Sequence, residues 1–192
     1  MAKPVRCITS AIALIALCSC QSNLFKLTCN LSDLRANSGD LPKYIKLTDY
    51  SVPAPKLGWG AVNPTSFDQA FEYGFGTAGG RETVNQFSYL YAAPIFYHSS
   101  LDGLFYFENS ADLLSPPKEL VFSSSVASEY KIACGHDPKE RPHVGKAYEC
   151  HYLGRYKGIV VEMRADIIKT YFEVSDFNKL VTNIDARAAA CI

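Results

Sequence analysis

The stretch KAYECHYLGRYKGIVVEMR, residues 146–164, decides the fold. Residues 146–153 and residues 159–164 are two short runs in which aromatic and β-branched side chains are frequent, as is typical of strands. Between them lies Tyr156-Lys157-Gly158, which suits a tight turn. The stretch therefore predicts two antiparallel strands joined as a hairpin.

Other short strands are predicted on the N-terminal side of this hairpin. A strand at residues 128–134 would place Cys134 across from Cys150 in a meander. Further strands are predicted at residues 44–50, 87–91, 105–107 and 120–122, where alternating or aromatic-rich patterns occur. Glycine and proline clusters predict loops at residues 51–66, 74–80 and 109–117.

The end of the chain predicts a helix. Ser175 is a good N-cap with Asp176 in the first turn, Arg187 falls in the last turn, and Cys191 is expected just past it. One apolar stripe follows helical spacing, formed by Phe177, Leu180, Val181, Ile184 and Ala188. We therefore expect an α+β fold, a mostly antiparallel β-sheet meander of about six to eight strands covered by a C-terminal helix.

The composition is that of a globular protein. Of 192 residues, 48% are hydrophobic and 20% are charged, which excludes a disordered or collagen-like chain. Lysine plus arginine and aspartate plus glutamate are both 19. A chain balanced in this way has no basic footprint for nucleic acid, so we expect no nucleic-acid partner.

The N-terminus has the pattern of a secretion signal. Lys3 and Arg6 precede residues 8–17, an apolar run of about ten residues, half of what a membrane-spanning helix needs. The run ends in Leu17-Cys18-Ser19-Cys20, which resembles the bacterial lipobox. The resemblance covers the first 20 residues and implies cleavage before Cys20, lipidation of its sulfur and acylation of the new amine.

The resemblance also implies an address. Gln21 stands where an aspartate would signal retention at the inner membrane, so we expect a lipid-anchored protein of the outer membrane, facing the periplasm. The chain then divides into a signal peptide (1–19), a lipidated N-terminus and tether (20–42) and one globular α+β domain (43–192). The alternatives are an ordinary signal peptide that releases a soluble protein, and a cytosolic chain.

Four cysteines remain after such processing: Cys29, Cys134, Cys150 and Cys191. An even number in an oxidising compartment predicts two disulfides, and of the three pairings we favour Cys134–Cys150 and Cys29–Cys191. The sequence contains no CxxC pair. A zinc cluster drawn from Cys134, His136, His143, Cys150 and His151 is the alternative, although its spacings match no known zinc module.

Three features of the sequence are candidates for a ligand-binding site. Residues 74–79 match GxGxxG, but polar loop and strand are predicted after them rather than the helix of a dinucleotide site. Alternating Phe87, Tyr89 and Tyr91 are expected to fill a β core rather than form a ligand platform. Trp59, in a glycine- and proline-rich loop, is the best candidate for an exposed ligand contact.

Catalytic residues are not grouped in the sequence. The four histidines, His98, His136, His143 and His151, lie in neither a GxSxG nor an HExxH motif. Among the scattered carboxylates, Glu108, Glu149, Glu162 and Asp166, only Glu149 and Glu162 fall on adjacent predicted strands. Paired across the hairpin they could act as the two acids of a glycosidase. Otherwise they mark the solvent face beside Lys146 and Arg164.

These observations favour a non-catalytic function. We expect an envelope lipoprotein of binding or structural role, with no catalytic residue, metal or cofactor. Its partners would be the membrane through the lipid, and an envelope protein, a glycan or a small ligand. The alternative is a hydrolase of envelope glycan or ester. A concave cluster of histidine and carboxylates would favour the hydrolase, and an exposed aromatic patch would favour binding.

Overall fold

An antiparallel sheet of six strands and one long helix make up the regular structure. In the computed structural model of the chain, residues 27–51, 67–77, 82–91, 117–136 and 148–192 are described. The strands are β1 Lys46–Ser51, β2 Phe67–Gly76, β3 Glu82–Tyr91, β4 Glu129–His136, β5 Tyr148–Tyr156 and β6 Ile159–Asp166. The helix is α1, Val174–Cys191, and a short 3₁₀ helix spans Leu31–Leu34. The α+β class predicted from the sequence is confirmed.

The strand order is β1-β2-β3-β6-β5-β4, and every neighbouring pair is antiparallel. The predicted hairpin is confirmed as β5 and β6, and its two-residue turn places Lys157 at φ 47°. This hairpin joins the sheet through β6, which pairs with β3. The sheet is therefore meander-like, with β4 at one edge and β1 at the other.

Helix α1 covers one face of the sheet with its predicted stripe. All five stripe residues are fully buried and pack with the alternate residues of β5 and β6, among them Tyr152 and Met163. The helix begins two residues earlier than expected, because Glu173 is the N-cap and forms a capping box with Asp176. Ser175 therefore lies inside the helix, and Cys191 is its last residue rather than the residue after it.

Part of the expected tether belongs to the core. Leu31 and Leu34 of the 3₁₀ helix are fully buried, although the sequence assigned residues 20–42 to a tether. The side chain of Gln86 on β3 binds the backbone of this segment. Its Oε1 accepts a hydrogen bond from the Ala36 amide at 2.8 Å, and its Nε2 donates to the Leu34 carbonyl at 2.8 Å. The ordered domain thus includes residues well before position 43.

Two local predictions are wrong. Residues 120–122 are not a strand. Leu120 is buried, and the Phe122 ring packs edge-on against the rings of Tyr130 and Tyr152. Residues 74–76 are the end of β2 rather than a loop, because Phe75 takes a buried core position there.

Within the described ranges, no helix is both long and apolar enough to span a bilayer.

A buried ion pair joins the N-terminal segment to α1. Asp40 accepts hydrogen bonds from Arg187 Nη2 at 2.7 Å and from Asn183 Nδ2 at 2.9 Å. Burial raises the pKa of Asp40, but the bonds from Arg187, Asn37 and Asn183 outweigh it and leave that pKa below its usual value. This contact contributes stability that requires an ionised Asp40.

The pH dependence of unfolding should report this contact. The contribution of Asp40 is present above its unfolded pKa near 3.9 and is lost as the pH falls through its lower folded pKa. We expect Asp40→Asn to cost about 2 kcal/mol at neutral pH and to lose less stability than wild type on acidification below about pH 4. Urea unfolding across pH measures both effects. The exposed Glu119→Gln is the control, and an acid profile of Asp40→Asn identical to wild type would contradict the assignment.

Candidate functional site

Both disulfides expected from the sequence are present. Cys29 is bonded to Cys191 and Cys134 to Cys150, the latter pair facing each other across β4 and β5. Because both sulfurs of the second pair are bonded to each other, the zinc cluster drawn from Cys134, His136, His143, Cys150 and His151 has no cysteine thiolate to offer a metal. In the part of the chain that the structure describes, no three histidine, cysteine or carboxylate side chains are grouped as metal ligands.

An ionic cluster occupies the second face of the sheet, opposite α1. Alternation along β5 turns Cys150 and Tyr152 toward the helix, and so Glu149 and His151 toward the second face. The Glu149 carboxylate is 3% exposed and accepts from Arg164 Nε at 2.8 Å and Nη2 at 2.9 Å. The His151 Nε2 lies 3.1 Å from the same carboxylate. Glu149 is thus fixed as the acid of an ion pair rather than facing solvent.

Glu162 lies on the same face in a more apolar place. Its register partners are Phe87 on β3 and Leu153 on β5, and both are buried. Burial raises the pKa of Glu162 to about 7, against the lowering effect of the nearby Arg164 guanidinium. Glu149 instead faces Asp166 in the register, so the acid pair of Glu149 and Glu162 across the hairpin is not formed.

Neutralising Glu162 should stabilise the protein. The folded pKa of Glu162 lies above its unfolded value. Below about pH 4.3 the carboxyl is protonated in both states and does not lower the free energy of unfolding, whereas as the pH rises toward 7 its ionisation favours the unfolded state. We expect Glu162→Gln to raise the free energy of unfolding by about 2 kcal/mol at pH 8 and to change it little at pH 4. Urea titrations at the two values test this, with the exposed Glu119→Gln as control. An equal effect at both values would contradict it.

A second constellation lies on the surface where two turns meet. One turn is closed by the Ile45 amide donating to the Pro42 carbonyl at 2.9 Å and carries Lys43 and Tyr44. The other is closed by the Tyr171 amide donating to the Ile168 carbonyl at 2.8 Å and carries Lys169 and Thr170. We call Lys43, Tyr44, Lys169, Thr170 and Tyr171 the tyrosine patch.

The two tyrosines of the patch are exposed and held in place. Their relative exposures are 44% for Tyr44 and 52% for Tyr171, and the rings meet edge-to-face with centroids 5.7 Å apart. Tyr44 Oη donates to the carbonyl of Thr170 at 2.8 Å. Thr170 has φ 80°, a backbone conformation that β-branched residues rarely adopt and that costs about 1–3 kcal/mol where it occurs. The hydroxyl of Tyr44 is therefore anchored to the second turn, and the Tyr171 ring packs against the Tyr44 ring.

The lysines of the patch have no ion-pair partner in the described part of the chain. Lys43 and Lys169 are exposed, and among the described residues neither has an ion pair or a hydrogen bond. Glu173, the carboxylate nearest in sequence to Tyr171, is engaged in the capping box of α1. Sequence reasoning missed this patch, since Tyr44 was assigned only to a strand and Tyr171 to nothing. Two short Lys- and Tyr-bearing turns are its only sequence signal.

Other sequence candidates are placed as follows. Gly74 and Gly76 lie in β2, whose next strand β3 is antiparallel, so the GxGxxG segment is not the strand-to-helix turn of a dinucleotide site. His136 is exposed at the end of β4, with its ring 5.1 Å from that of Tyr148. Phe87 and Tyr89 are buried, as a core role predicts. Several candidates lie outside the described residues: Cys20, Trp59, His98, Phe105, Phe107, Glu108 and His143.

Fold and site together define a disulfide-bonded α+β domain with an ionic cluster on one sheet face and an exposed tyrosine patch. Comparison with protein-family models, curated proteins and solved structures finds no match.

Proposed function

We propose that this chain is a lipid-anchored protein of the bacterial outer membrane that binds an envelope component without catalysis, through the tyrosine patch. The observation that carries the binding role is the pair of exposed tyrosines, fixed by a hydrogen bond to a strained turn. Tyrosine is enriched where proteins bind partners, because its ring supplies contact area at low entropic cost. The lipobox resemblance at Cys20 and the two disulfides support an extracytoplasmic location.

The anchor is tested by fractionating cells that express Cys20→Ser. We expect the variant to leave the membrane fraction, because one sulfur carries the lipid attachment. Cys18→Ser is the matched control and should fractionate like wild type, since Leu17 occupies the position before Cys18 where a small residue is needed. Unchanged membrane partitioning of Cys20→Ser would refute lipidation.

The binding surface is tested separately, with the full protein purified in neutral detergent and sedimented with the insoluble polymer fraction of the envelope. Wild type should co-sediment, and the double variant Tyr44→Ala, Tyr171→Ala should remain in solution. Val121→Ala is the control, because Val121 is another exposed apolar side chain, 79% exposed and outside the patch. If the double variant sediments as wild type does, the patch is not the binding surface.

The second candidate function is hydrolysis of envelope glycan or ester. It is favoured by Glu162, whose pKa near 7 would let it give and take a proton at neutral pH. Incubating the protein with envelope polymer and measuring released reducing ends or free acid tests this function. Activity that Glu162→Gln abolishes would support a hydrolase, and activity unchanged by that variant would exclude Glu162 as its acid.

A further inference from the structure

We infer that the tyrosine patch takes the sugar rings of an acidic polysaccharide, one whose carboxylates meet Lys43 and Lys169. This inference rests on the proposed binding function and names the class of ligand. Three features of the patch carry it: its small exposed area, two lysines with no ion-pair partner among the described residues, and its position at the end of α1 opposite to Cys29.

The exposed area suits a narrow ligand. With 44% and 52% exposed, the two tyrosines together offer about the surface of one whole side chain, roughly 200 Å². A stable interface with another folded protein needs about 800 Å² from each partner. One or two sugar rings, by contrast, can stack on an aromatic face of this size. The nearly perpendicular rings, at 83°, provide one face for stacking and a second ring beside it.

The charge selects an anionic chain. Lys43 and Lys169 lie one and two residues from Tyr44 and Tyr171 along their turns, and no described residue neutralises either. Two exposed lysines on the same turns as the stacking rings are complementary to sugars that carry carboxylates. The Tyr44 hydroxyl is already committed as donor to the Thr170 carbonyl, which fixes the ring before the ligand arrives.

The patch lies at the end of α1 opposite to the Cys29–Cys191 bond. Cys29 is bonded to Cys191 at the C-terminal end of α1, and the Thr28 amide donates to the Cys191 carbonyl at 3.0 Å. The described N-terminal residues are thus held at that end. Tyr171 lies three residues before the other end, and 18 helical residues at about 1.5 Å each separate the two ends by about 27 Å. The Cys29–Cys191 bond and the patch therefore lie at opposite ends of α1.

The test measures the affinity of the full protein in neutral detergent for four probes by titration calorimetry. The probes are polygalacturonate, its fully methyl-esterified form, poly-L-glutamate, and vesicles of phosphatidylcholine with phosphatidylglycerol. Polygalacturonate should bind most tightly. Its methyl ester, which keeps the sugar rings and loses the charge, should bind about tenfold more weakly at low salt, the sum of two exposed ion pairs.

Two variants assign the contacts. Lys43→Gln with Lys169→Gln should reduce binding of polygalacturonate to the level of the ester and remove its salt dependence. Tyr171→Ala should weaken binding of both polymers by tenfold or more. Circular dichroism and urea unfolding of each variant confirm that it is folded.

Each other outcome overturns the inference in a distinct way. Tighter binding of poly-L-glutamate would make the ligand an acidic peptide, and tighter binding of vesicles would make it a lipid surface; in both cases the patch remains a binding site and the proposed function stands. Binding of none of the probes refutes the acidic-glycan class, while the sedimentation experiment with envelope polymer decides the proposed function independently.

Discussion

Replacing Cys29 and Cys191 together by alanine is expected to lower the free energy of unfolding by about 5 kcal/mol. The bond closes a loop across a separation of 162 residues, nearly the whole domain, and the chain-entropy model assigns a loop of that length about this value. The bond also holds Thr28 over the end of α1, where its amide and hydroxyl cover the carbonyls of Cys191 and Ala190. These carbonyls have no partner within the helix. Removing the disulfide therefore raises the entropy of the unfolded chain and also weakens the hydrogen bonds that cap the end of α1.

Urea unfolding of the oxidised proteins measures this effect, with the other disulfide as a matched control. Cys134→Ala with Cys150→Ala opens a loop across only 16 residues between paired strands, and the same model gives about 3 kcal/mol. The long loop should therefore matter more than the short one. If the hairpin disulfide proves the more stabilising of the two, loop closure is not what the Cys29–Cys191 bond contributes.

Features with a local cause could be predicted from the sequence. The β5–β6 hairpin follows from a turn with Gly158 between two strand-forming runs, and the buried face of α1 follows from helical spacing. The Cys134–Cys150 bond follows because neighbouring strands place the two side chains opposite each other. In each case the residues that decide the structure lie within about 20 positions of one another.

Apart from the Cys29–Cys191 bond, which the even number of cysteines predicted, features with a distant cause could not be predicted. Residues 27–42 are polar enough to suggest a tether, and they fold into the core because Gln86, some 50 residues later, satisfies the backbone at Ala36 and Leu34. The Glu149–Arg164 ion pair also escaped prediction, although its residues are only 15 positions apart, because strand periodicity does not show which side chains pair across a hairpin.

The tyrosine patch has the same kind of origin. Tyr44 and Thr170 are 126 residues apart, and no local pattern connects their turns. The positive φ of Thr170 is also invisible in the sequence, where a glycine would have signalled it. The structure therefore reveals a candidate binding surface that the composition and motifs concealed.

Gly154→Ala is expected to destabilise the domain by about 4 kcal/mol, although it adds one methyl group. Tyr152 and Gly154 are neighbours on the face of β5 that packs against α1, and the Tyr152 ring lies over Gly154. A Cβ at Gly154 would stand 2.1 Å from Tyr152 Oη and 2.6 Å from Cζ. The ring is fully buried and cannot swing away. The Tyr152 hydroxyl is hydrogen-bonded to the Tyr156 hydroxyl, and the Tyr156 hydroxyl donates to the Asp185 carboxylate at 2.8 Å.

The size of the effect follows from what the ring would lose. Burial raises the pKa of both tyrosines, so they remain protonated and hydrogen-bonded to each other at neutral pH. Displacing Tyr152 breaks this buried bond and disturbs its contact with Phe122, and overpacking of a core adds about 1–3 kcal/mol of strain. Gly39→Ala is the control, since its Cβ would lie 3.1 Å from the exposed side chain of Asn37 and should cost less than about 1 kcal/mol.

A double-mutant cycle separates this contact from the general sensitivity of a strand glycine. With Tyr152→Ala in place, the ring no longer occupies the space above Gly154, so Gly154→Ala should then cost less than about 1 kcal/mol. The coupling between the two positions would be about 3 kcal/mol in urea unfolding. If the two losses simply add, Gly154 is required for its backbone, and the ring above it is not the reason that this position is glycine. If they couple as expected, one missing side chain is what allows the buried Tyr152–Tyr156–Asp185 network to form.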